Sequence, residues 1–505
     1  MNKLHSVALL VSSYCLLGSL AIHAESATTI QQSVIVGKSL NHQAPTRFLG
    51  QESRAFKLDL PSMEINLDSP MPGVHTTGRV YTLPSPVLST QLDWQVVNEG
   101  YVARVQVFSQ QAKRLRLHLN LNQDIPSIKL QQQGNGDDAL STVIEYSDMH
   151  DNEIWLPIAQ GNRVDLEIFV AANVAKEAQF SLDAVNVITE AGESGGLQFK
   201  NKGQVREKEF DLACAIRDPN YANLQKAALA TARIDYIANG LSRWCTGTLL
   251  NDTRNSNLPW FATANHCLND QKAANSASFQ WFYQATACGG AVTDSRNTQT
   301  FGGAKLLWND SYLDAALLKL NQPAPNGAYF IGWDPNYNLQ KQDDVWGVHH
   351  PEGDHTMVSF GQVAAVKKQV RDTTQNLHLV NTVKFILGGV ESGSSGSGLF
   401  SVNQGTLYWQ GTLFGGPAND YQIALYSDFK SYYSKISPWL SSVLIPEIEQ
   451  FYQQYSGYFG VKSGSLFNCG EGYSCQKFLS GKQIAMYNSN NALYWWDGRQ
   501  WQFYK

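Results

Sequence analysis

The segment that most constrains this chain is residues 389–398, which contains four glycines and four serines and continues directly into the apolar pair Leu399 and Phe400. A serine among closely spaced glycines fits a tight turn that exposes its hydroxyl and lets backbone N–H groups approach a developing oxyanion. Ser395 in such a turn is a candidate acyl-transfer nucleophile. The same composition also fits a flexible Gly/Ser linker, so the segment alone leaves both interpretations open.

Two upstream motifs favour the catalytic turn. His266 stands in Phe-Ala-Thr-Ala-Asn-His-Cys, and Asp314 begins Asp-Ala-Ala-Leu-Leu-Lys-Leu. Asp314 follows His266 by 48 residues, and Ser395 follows Asp314 by 81 residues. A base, an orienting carboxylate and a nucleophile therefore occur in the order His, Asp, Ser, which is the order of the chymotrypsin-type triad.

An α/β-hydrolase nucleophile elbow is the main rival for an exposed serine. That elbow needs Gly-x-Ser-x-Gly, whereas this chain has Ser397 at the position of the second glycine. Its triad also runs Ser, Asp, His, the reverse of the order found here. We therefore reject this interpretation.

Four motifs in order resemble secreted bacterial serine endopeptidases of the chymotrypsin fold, of the lysyl endopeptidase type. The resemblance covers about residues 214–440, and the region before it resembles the propeptides of the same group around residues 155–170. A single motif is a weak signal, but four at plausible separations form a strong one. The motifs are Cys-Thr-Gly-Thr-Leu-Leu-Asn from Cys245, the His266 and Asp314 segments, and Gly-Ser-Ser-Gly-Ser around Ser395.

The resemblance implies a role for each candidate. His266 is expected to act as general base and then as general acid, while Asp314 holds its tautomer and stabilises the imidazolium. Ser395 is expected to attack the scissile carbonyl, with its own N–H and that of Gly393 forming the oxyanion hole. Polypeptides are then the substrates, and we expect no cofactor and no metal.

The specificity pocket departs from the trypsin pattern. Trypsin-type specificity places an aspartate six positions before the nucleophile, where this chain has Gly389. The resemblance implies that the acid comes instead from Asp420, after Gly415 and Gly416, with Glu391 beside the nucleophile. A buried carboxylate there would pair with a substrate cation, which predicts cleavage after Lys or Arg. The alternative is that Asp420 caps a solvent loop.

The residue before the nucleophile also departs from animal trypsins. Those enzymes have an aspartate there, which pairs with a newly freed N-terminal amine, whereas this chain has Ser394. Removal of an N-terminal segment therefore cannot activate the enzyme by that ion pair. The preceding region is predicted to act as a folding aid or as an intramolecular inhibitor.

The N-terminus predicts export. Residues 1–3 give a short positive start, residues 7–22 are largely apolar, and Ala24 suits a cleavage site, so residues 1–24 form a signal peptide. Cys15 lies inside the apolar run, and this does not indicate a lipid anchor. No later segment is long and apolar enough to span a bilayer. We therefore expect a secreted protein, and the resemblance implies a bacterial one; retention in the periplasm, or at the cell surface through the C-terminal module, is the alternative.

Removal of the signal leaves six cysteines, an even number for which disulfides are the default in an exported protein. Metal binding by cysteine is disfavoured because no CxxC pair occurs. Bridging Cys245 and Cys267 would pin His266 against the barrel. The resemblance implies this bridge and a second between Cys214 and Cys288, while a third bridge of the family lacks both its cysteines here.

Residues 25–208 contain no cysteine and show period-two alternation at 115–122 and 164–170. Such alternation places one face in a core and the other in water, which predicts a sandwich-like β-domain. Residues 190–208 form a Gly-rich basic connection, a typical site of proteolytic cleavage. We predict a propeptide removed near this connection; a permanent domain on a tether is the alternative, which N-terminal sequencing would distinguish.

Residues 209–446 have short apolar segments between Asn, Asp, Gly and Pro turns, which favours an all-β sandwich or barrel. The resemblance implies that this region is a chymotrypsin-like protease domain built as a double barrel. We expect a closing helix within residues 426–440. The expected strands are 244–250, 260–264, 314–320, 344–348 and 407–413.

Residues 447–505 form a short module rich in aromatic residues. Asp497 and Gly498 between aromatic runs indicate a hairpin, and a bridge between Cys469 and Cys475 would staple the module. Exposed aromatic rings can stack on sugars or a surface polymer. The module's own core is the interpretation we favour, because such aromatic residues more often form the core of a small domain.

Charge and histidine spacing exclude other classes. A net charge of -5 gives no broad basic field for nucleic acid, and nothing indicates more than a monomer. His349, His350 and His355 lack HExxH spacing, and adjacent strand residues point to opposite faces, so we expect a structural turn rather than a metal site. The competing function is a non-proteolytic protein with this fold that binds a surface ligand or carbohydrate.

Overall fold

The structure is a computed structural model. It contains an N-terminal sandwich, two β-barrels and a small C-terminal module, and the signal region 1–24, the connection 190–208 and Cys469 lie outside the described residues. Within the described part, no helix combines the length and apolarity needed to cross a membrane. The described residues are 33–34, 55–65, 75–121, 124–136, 142–149, 152–173, 179–189, 210–403, 405–417, 419–441, 446–463, 467–468, 473–487 and 492–504.

The N-terminal sandwich consists of two sheets around one apolar core, because alternate side chains of each strand point to opposite faces. One sheet contains Phe56–Asp59, Gln95–Val97, Gly100–Phe108, Lys129–Gly134, Thr142–Glu145 and Arg163–Ala171. The other contains His75–Leu88, Arg114–Leu121, Glu153–Trp155, Ala159–Gln160 and Phe180–Ile188. Two 3₁₀ turns cover Ser89–Gln91 and Tyr146–Asp148.

In the first barrel, the order in which strands are hydrogen-bonded differs from their order in the sequence. Its strands, from one edge to the other, are Thr298–Thr300, Ser278–Trp281, Thr231–Ala238, Leu241–Leu250, Trp260–Thr263, Ala315–Leu320 and Ala304–Asp310. The helices beside it are Leu212–Ala215, Leu224–Ala230 and Gln271–Asn275, with a 3₁₀ turn at Pro219–Tyr221. A short pair joins Ser33–Val34 to Tyr329–Phe330.

The second barrel is closed, since its last strand in the hydrogen-bonded order pairs back to its first. The order is Met357–Arg371, Asp344–His349, Gly398–Asn403, Thr406–Gly415, Ile423–Ser427 and Leu377–Leu387, and Phe210–Asp211 adds to Met357–Arg371. The helix Phe429–Leu440 packs against both barrels, and Phe429 contacts Trp333 and Trp409. This is the predicted chymotrypsin-like double barrel, and the expected helix begins at Phe429 because residues 426–427 end a strand.

The C-terminal module contains the helix Pro446–Phe459 and a five-stranded sheet. The helix contributes Phe451 and Phe459 to a core shared with Ile484 and Leu493, and Cys475 is disulfide-bonded. These contacts show that the aromatic-rich module has a core of its own. The strands are Phe467–Asn468, Tyr473–Lys477, Gln483–Tyr487, Ala492–Trp496 and Trp501–Phe503.

The N-terminal sandwich and the first barrel share one sheet. Strand His75–Leu88 pairs antiparallel with residues 241–244 of strand Leu241–Leu250, the end of that barrel strand that does not pair with Trp260–Thr263. At one end of this pairing the ring of His75 stacks on Trp244, with ring centroids 5.5 Å apart. Backbone hydrogen bonds therefore join the two domains directly.

A buried charge cluster lies at the same interface. Arg114 from the sandwich and Arg233 from the barrel approach Asp235 at 3.5 and 3.2 Å, and Trp244 Nε1 donates to this carboxylate at 2.7 Å. Both guanidinium groups lie over the Trp244 ring. Burial alone would raise the pKa of Asp235, but the charges of Arg233 and Arg114 outweigh it and lower the pKa.

The same interface corrects one expectation from the period-two alternation at residues 115–122. Arg116 was expected on the water face of its strand, but it is buried and donates hydrogen bonds to the carbonyl oxygens of Leu156 and Ser276. Ser276 belongs to the first barrel domain, so the face predicted to meet water meets that domain instead. Alternation identifies two faces of a strand but does not identify what covers the polar one.

Candidate active site

Asp314 fixes the orientation of His266 through both carboxylate oxygens. The His266 backbone N–H donates to Oδ1 at 2.9 Å, and ring Nδ1 lies 2.7 Å from Oδ2. The Asp314 side chain is 2% exposed, and its backbone adopts a positive φ of 46° at the start of strand Ala315–Leu320. A carboxylate accepts hydrogen bonds, so Nδ1 carries the proton and Nε2 is left as the basic nitrogen.

The Nε2 atom of His266 is buried and has no hydrogen-bond partner among the described residues. The edge of the Phe414 ring lies against the imidazole, with centroids 6.2 Å apart. A neutral imidazole with one nitrogen anchored to a carboxylate and the other unoccupied is suited to accept a proton from a substrate or a neighbouring hydroxyl.

Two disulfides are present in this part of the chain. Cys245 is bonded to Cys267, and Cys214 is bonded to Cys288. The two sulfurs of the first bridge and a ring nitrogen of His266 all lie within 4.8 Å of one another. Since those sulfurs are bonded to each other, they are not thiolate ligands, and the bridge acts by holding the segment that carries His266.

Residues 389–398, here called the nucleophile loop, are anchored to the first barrel by Thr246. The Thr246 N–H donates to the carbonyl oxygen of Ser395 at 2.7 Å, and its hydroxyl donates to that of Gly393 at 2.9 Å. The carbonyl of Thr246 in turn accepts from the Thr263 hydroxyl at 2.8 Å. One buried threonine thus joins the nucleophile loop to the strand that leads to His266.

Gly396 allows the loop to approach that strand. It has φ of 80°, and a Cβ at this position would lie 2.1 Å from Thr263 Oγ1 and 2.9 Å from the backbone nitrogen of Ala264. A larger residue would push the loop away from the strand end. Ser395, itself 2% exposed, is therefore held against the segment that carries the histidine.

Two hydrogen bonds orient the candidate oxyanion-hole amides. The carbonyl of Ser392 accepts from the Glu352 N–H at 2.6 Å, and the carbonyl of Ser394 accepts from the Ser397 N–H at 3.0 Å. In a trans peptide the N–H points opposite to the carbonyl. The N–H groups of Gly393 and Ser395 are consequently directed away from those contacts, and both directions are fixed by backbone hydrogen bonds.

The candidate pocket acid lies on a loop beside the position six residues before Ser395. Asp420 is exposed, and its Oδ1 accepts from the Gln422 N–H at 3.1 Å. The following residue, Tyr421, packs directly on Gly389, where a Cβ would lie 2.3 Å from its ring, and its carbonyl accepts from the Val390 N–H. The structure thus brings Asp420 next to the backbone of residues 389–390.

The remaining pocket candidates lie on either side of this contact. A Cβ on Gly416 would lie 3.8 Å from the Val390 side chain, so the strand that ends at Gly415 runs beside the nucleophile loop. Glu391 is partly buried, and its carbonyl accepts from the Ser394 N–H within the loop. The geometry therefore places Tyr421 and Gly416 against residues 389–390, which directly precede Glu391.

Thr246 carries no predicted role in the sequence, and His349 was expected only at a structural turn. Thr246 occurs inside the Cys-Thr-Gly motif, which is the only signal that marked it. His349 and His350 are buried beside a 3₁₀ turn at Pro351–Gly353, and His350 Nδ1 lies 2.9 Å from the carbonyl oxygen of Asp354. Burial lowers the pKa of both histidines to about 3, which keeps them neutral.

Comparison with known proteins gives two family matches in this chain. Residues 202–433 match the lysyl endopeptidase C-terminal domain, and residues 78–187 match the lysyl endopeptidase N-terminal domain. A lysyl endopeptidase of Pseudomonas aeruginosa is 32% identical over 305 residues, which cover 57% of this chain and 63% of that relative. The chain therefore spans less than two thirds of the length of the curated relative that it matches.

Two solved structures illustrate the partial similarity of this chain to proteins of known structure. A Mycobacterium tuberculosis protease in its active form has a TM-score of 0.32 and 15% identity, covering 45% of this chain and 87% of that chain. An HtrA-type protease with a tripeptide also has a TM-score of 0.32, with 14% identity, covering 43% of this chain and 62% of the other.

Proposed function

This chain is of the lysyl endopeptidase type, and we propose that it is a secreted serine endopeptidase that hydrolyses peptide bonds through an acyl-enzyme on Ser395. The observation that carries the proposal is the pairing of His266 with both oxygens of buried Asp314, which leaves Nε2 without a hydrogen-bond partner among the described residues. This arrangement provides a general base in the tautomer that the reaction requires.

The reaction proceeds in two steps. The Ser395 Oγ–H proton passes to His266 Nε2 while Oγ bonds to the scissile carbonyl carbon, and the N–H groups of Gly393 and Ser395 stabilise the resulting oxyanion. The imidazolium then gives its proton to the departing amine as the C–N bond breaks. Water attacks the acyl-enzyme with the same histidine as base, releasing the acid and restoring Ser395. Asp314 stabilises the imidazolium throughout.

Covalent labelling by a fluorophosphonate tests this proposal. We expect one adduct per chain, mapped by mass spectrometry to Ser395, because only an activated serine hydroxyl attacks this phosphorus reagent rapidly. Ser395→Ala is expected to abolish labelling, whereas Ser392→Ala, a serine in the same loop, is expected to retain it. An unlabelled, folded wild-type chain would instead favour the competing function, a binding protein with this fold.

The N-terminal sandwich is proposed to act as a folding partner of the double barrel rather than as a plug in its cleft. Its hydrogen bonds to the double barrel include those from the Val80 N–H to the Gly240 carbonyl and from the Arg116 guanidinium to the Ser276 carbonyl. A partner that adds a strand to one barrel supplies a template for that barrel's sheet.

Cleavage after Lys or Arg is proposed to depend on Asp420. We expect Asp420→Asn to lower kcat/KM for peptides with Lys or Arg before the scissile bond by roughly 100-fold, since a substrate cation would lose its counter-charge. Cleavage after apolar residues, if measurable, is expected to change little. Initial rates on matched peptides that differ only at that position provide the measurement.

Glu391→Gln is the matched control for this prediction, because it neutralises the other nearby carboxylate. Near-normal selectivity in that variant supports Asp420 as the pocket acid. If Glu391→Gln loses the selectivity and Asp420→Asn keeps it, the acid must be assigned to Glu391, and Asp420 serves only its turn with Gln422.

A further inference from the structure

Ser394, the residue before the candidate nucleophile, contacts a buried histidine from another strand. Its hydroxyl oxygen lies 2.9 Å from Nδ1 of His349, which is the last residue of strand Asp344–His349. His349 is fully buried, and its other ring nitrogen lies 2.9 Å from the hydroxyl of Ser359. The strand of Ser359 pairs with that of His349, so the imidazole is held between the sheet of the second barrel and the nucleophile loop.

The hydrogen bonds around this ring run in one direction. Ser359 donates its single hydroxyl proton to the carbonyl oxygen of Gly389 at 2.8 Å, so its oxygen must accept from His349 Nε2–H. A neutral imidazole then presents Nδ1 as an acceptor, which takes the hydroxyl proton of Ser394. The oxygen of Ser394 in turn accepts from the Glu391 N–H at 3.3 Å.

Both ends of this chain of hydrogen bonds lie in the nucleophile loop. It starts at the amide of Glu391 and ends at the carbonyl of Gly389, with His349 between them. The burial that lowers the pKa of His349 to about 3 keeps the ring neutral, which the one-way arrangement requires. A charged ring would donate at both nitrogens and would break the link to Ser394.

We propose that His349 is a positioning residue that braces the nucleophile loop by accepting a hydrogen bond from Ser394, so that the oxyanion-hole amides on either side of Ser394 are aligned. The inference rests on the proposed function, since an alignment of these amides matters only if Ser395 performs acyl transfer. Gly393 and Ser395, which supply those amides, are the immediate neighbours of the braced residue.

The brace replaces an ionic link with a neutral one. In animal trypsins an aspartate at the position of Ser394 waits for an amine that only chain cleavage provides. Here both partners are part of the folded double barrel, and neither is charged. The loop is therefore braced whether or not the N-terminal region has been removed.

Three substitutions of His349 separate a hydrogen-bonding role from a packing role. His349→Asn places an amide oxygen near the position of Nδ1 and can still accept from Ser394. His349→Gln places its amide near Nε2 and reaches only Ser359, and His349→Leu reaches neither. The measurement is kcat per reactive serine, counted by fluorophosphonate titration of the full chain, together with KM and the midpoint of urea unfolding.

We expect kcat to fall on the order of 30-fold in His349→Leu and His349→Gln, less than the loss of a complete oxyanion-hole donor. His349→Asn is expected to restore most of kcat, and KM is expected to change little in all three. Equal losses of kcat in the three variants would show that His349 acts by packing and not by accepting a hydrogen bond from Ser394. Wild-type kcat in His349→Leu would overturn the proposal outright.

The outcomes also separate this inference from the proposed function. If the wild-type chain is neither labelled nor active on peptides, the proposed function fails first. If the wild-type chain is labelled on Ser395 and cleaves peptides while His349→Leu matches its kcat, only the brace fails. A His349 variant that does not fold gives no titratable serine. In that case Ser394→Ala is used instead, because it removes the hydrogen-bond donor and leaves His349 in place. The same loss of kcat is expected in Ser394→Ala.

Discussion

Replacing Asp314 by asparagine is expected to lower kcat by roughly 10⁴-fold while leaving the fold intact. The carboxylate accepts from the His266 backbone N–H and from ring Nδ1. An asparagine can accept only one of these with its amide oxygen, and its NH₂ group facing the ring favours the tautomer with the proton on Nε2. A protonated Nε2 cannot take the proton of Ser395. Steady-state hydrolysis of a peptide substrate gives the change in kcat.

Asp310→Asn is the matched control for this experiment. Asp310 lies in the same turn and accepts a hydrogen bond from the Leu313 N–H at 2.9 Å, a role that an amide oxygen also fills. This variant is expected to keep near-normal kcat. An Asp314→Asn enzyme within tenfold of the wild type would show that Asp314 does not set the tautomer of the base.

Replacing Asp235 by asparagine is expected to lower the free energy of unfolding by about 3 kcal/mol. The change keeps the size of the side chain but leaves the buried guanidinium groups of Arg114 and Arg233 without their counter-charge. The midpoint of urea unfolding, read by tryptophan fluorescence, gives the loss. We expect the transition that includes the first barrel to be the one displaced, because Asp235 lies in strand Thr231–Ala238.

A control at an exposed ion pair and the pH dependence of stability complete this test. Arg296→Ala removes an exposed arginine from its pair with Asp294 and is expected to change the stability by less than about 1 kcal/mol. Because the pKa of Asp235 is lowered in the folded chain, its contribution is present above the ordinary aspartate pKa of about 4 and is lost as pH falls further below it. An Asp235→Asn variant as stable as the wild type at neutral pH would contradict the assignment.

Much of the fold could be predicted because the strands carry local patterns. Leu115 and Val164 begin alternating runs, and both runs form strands of the N-terminal sandwich. The closure of the second barrel could not be predicted in this way, because it depends on which strands become neighbours. The pairing of Gly398–Asn403 with Asp344–His349 joins segments that are distant in the sequence, and no local pattern specifies it.

The residues of the candidate site also fall into those with a local sequence signal and those without one. His266, Asp314 and Ser395 were assigned from short motifs, because each needs a particular residue type in a recognisable local setting. Thr246 and His349 were missed, since their partners are 147 and 45 residues away and only the folded chain brings them together. An ordinary threonine or histidine gains such a role from its surroundings, and the sequence does not record those surroundings directly.

The sheet shared by the sandwich and the first barrel determines what happens to the protein if the connection at residues 190–208 is cleaved. A cut chain would still be held by the backbone ladder between His75–Leu88 and Leu241–Leu250, so nicking and detachment are separate events. Detachment would uncover an unsatisfied strand edge at residues 241–244, which is a template for addition of another extended chain. We therefore expect preparations that retain the cut domain to stay dispersed at concentrations where preparations stripped of it self-associate.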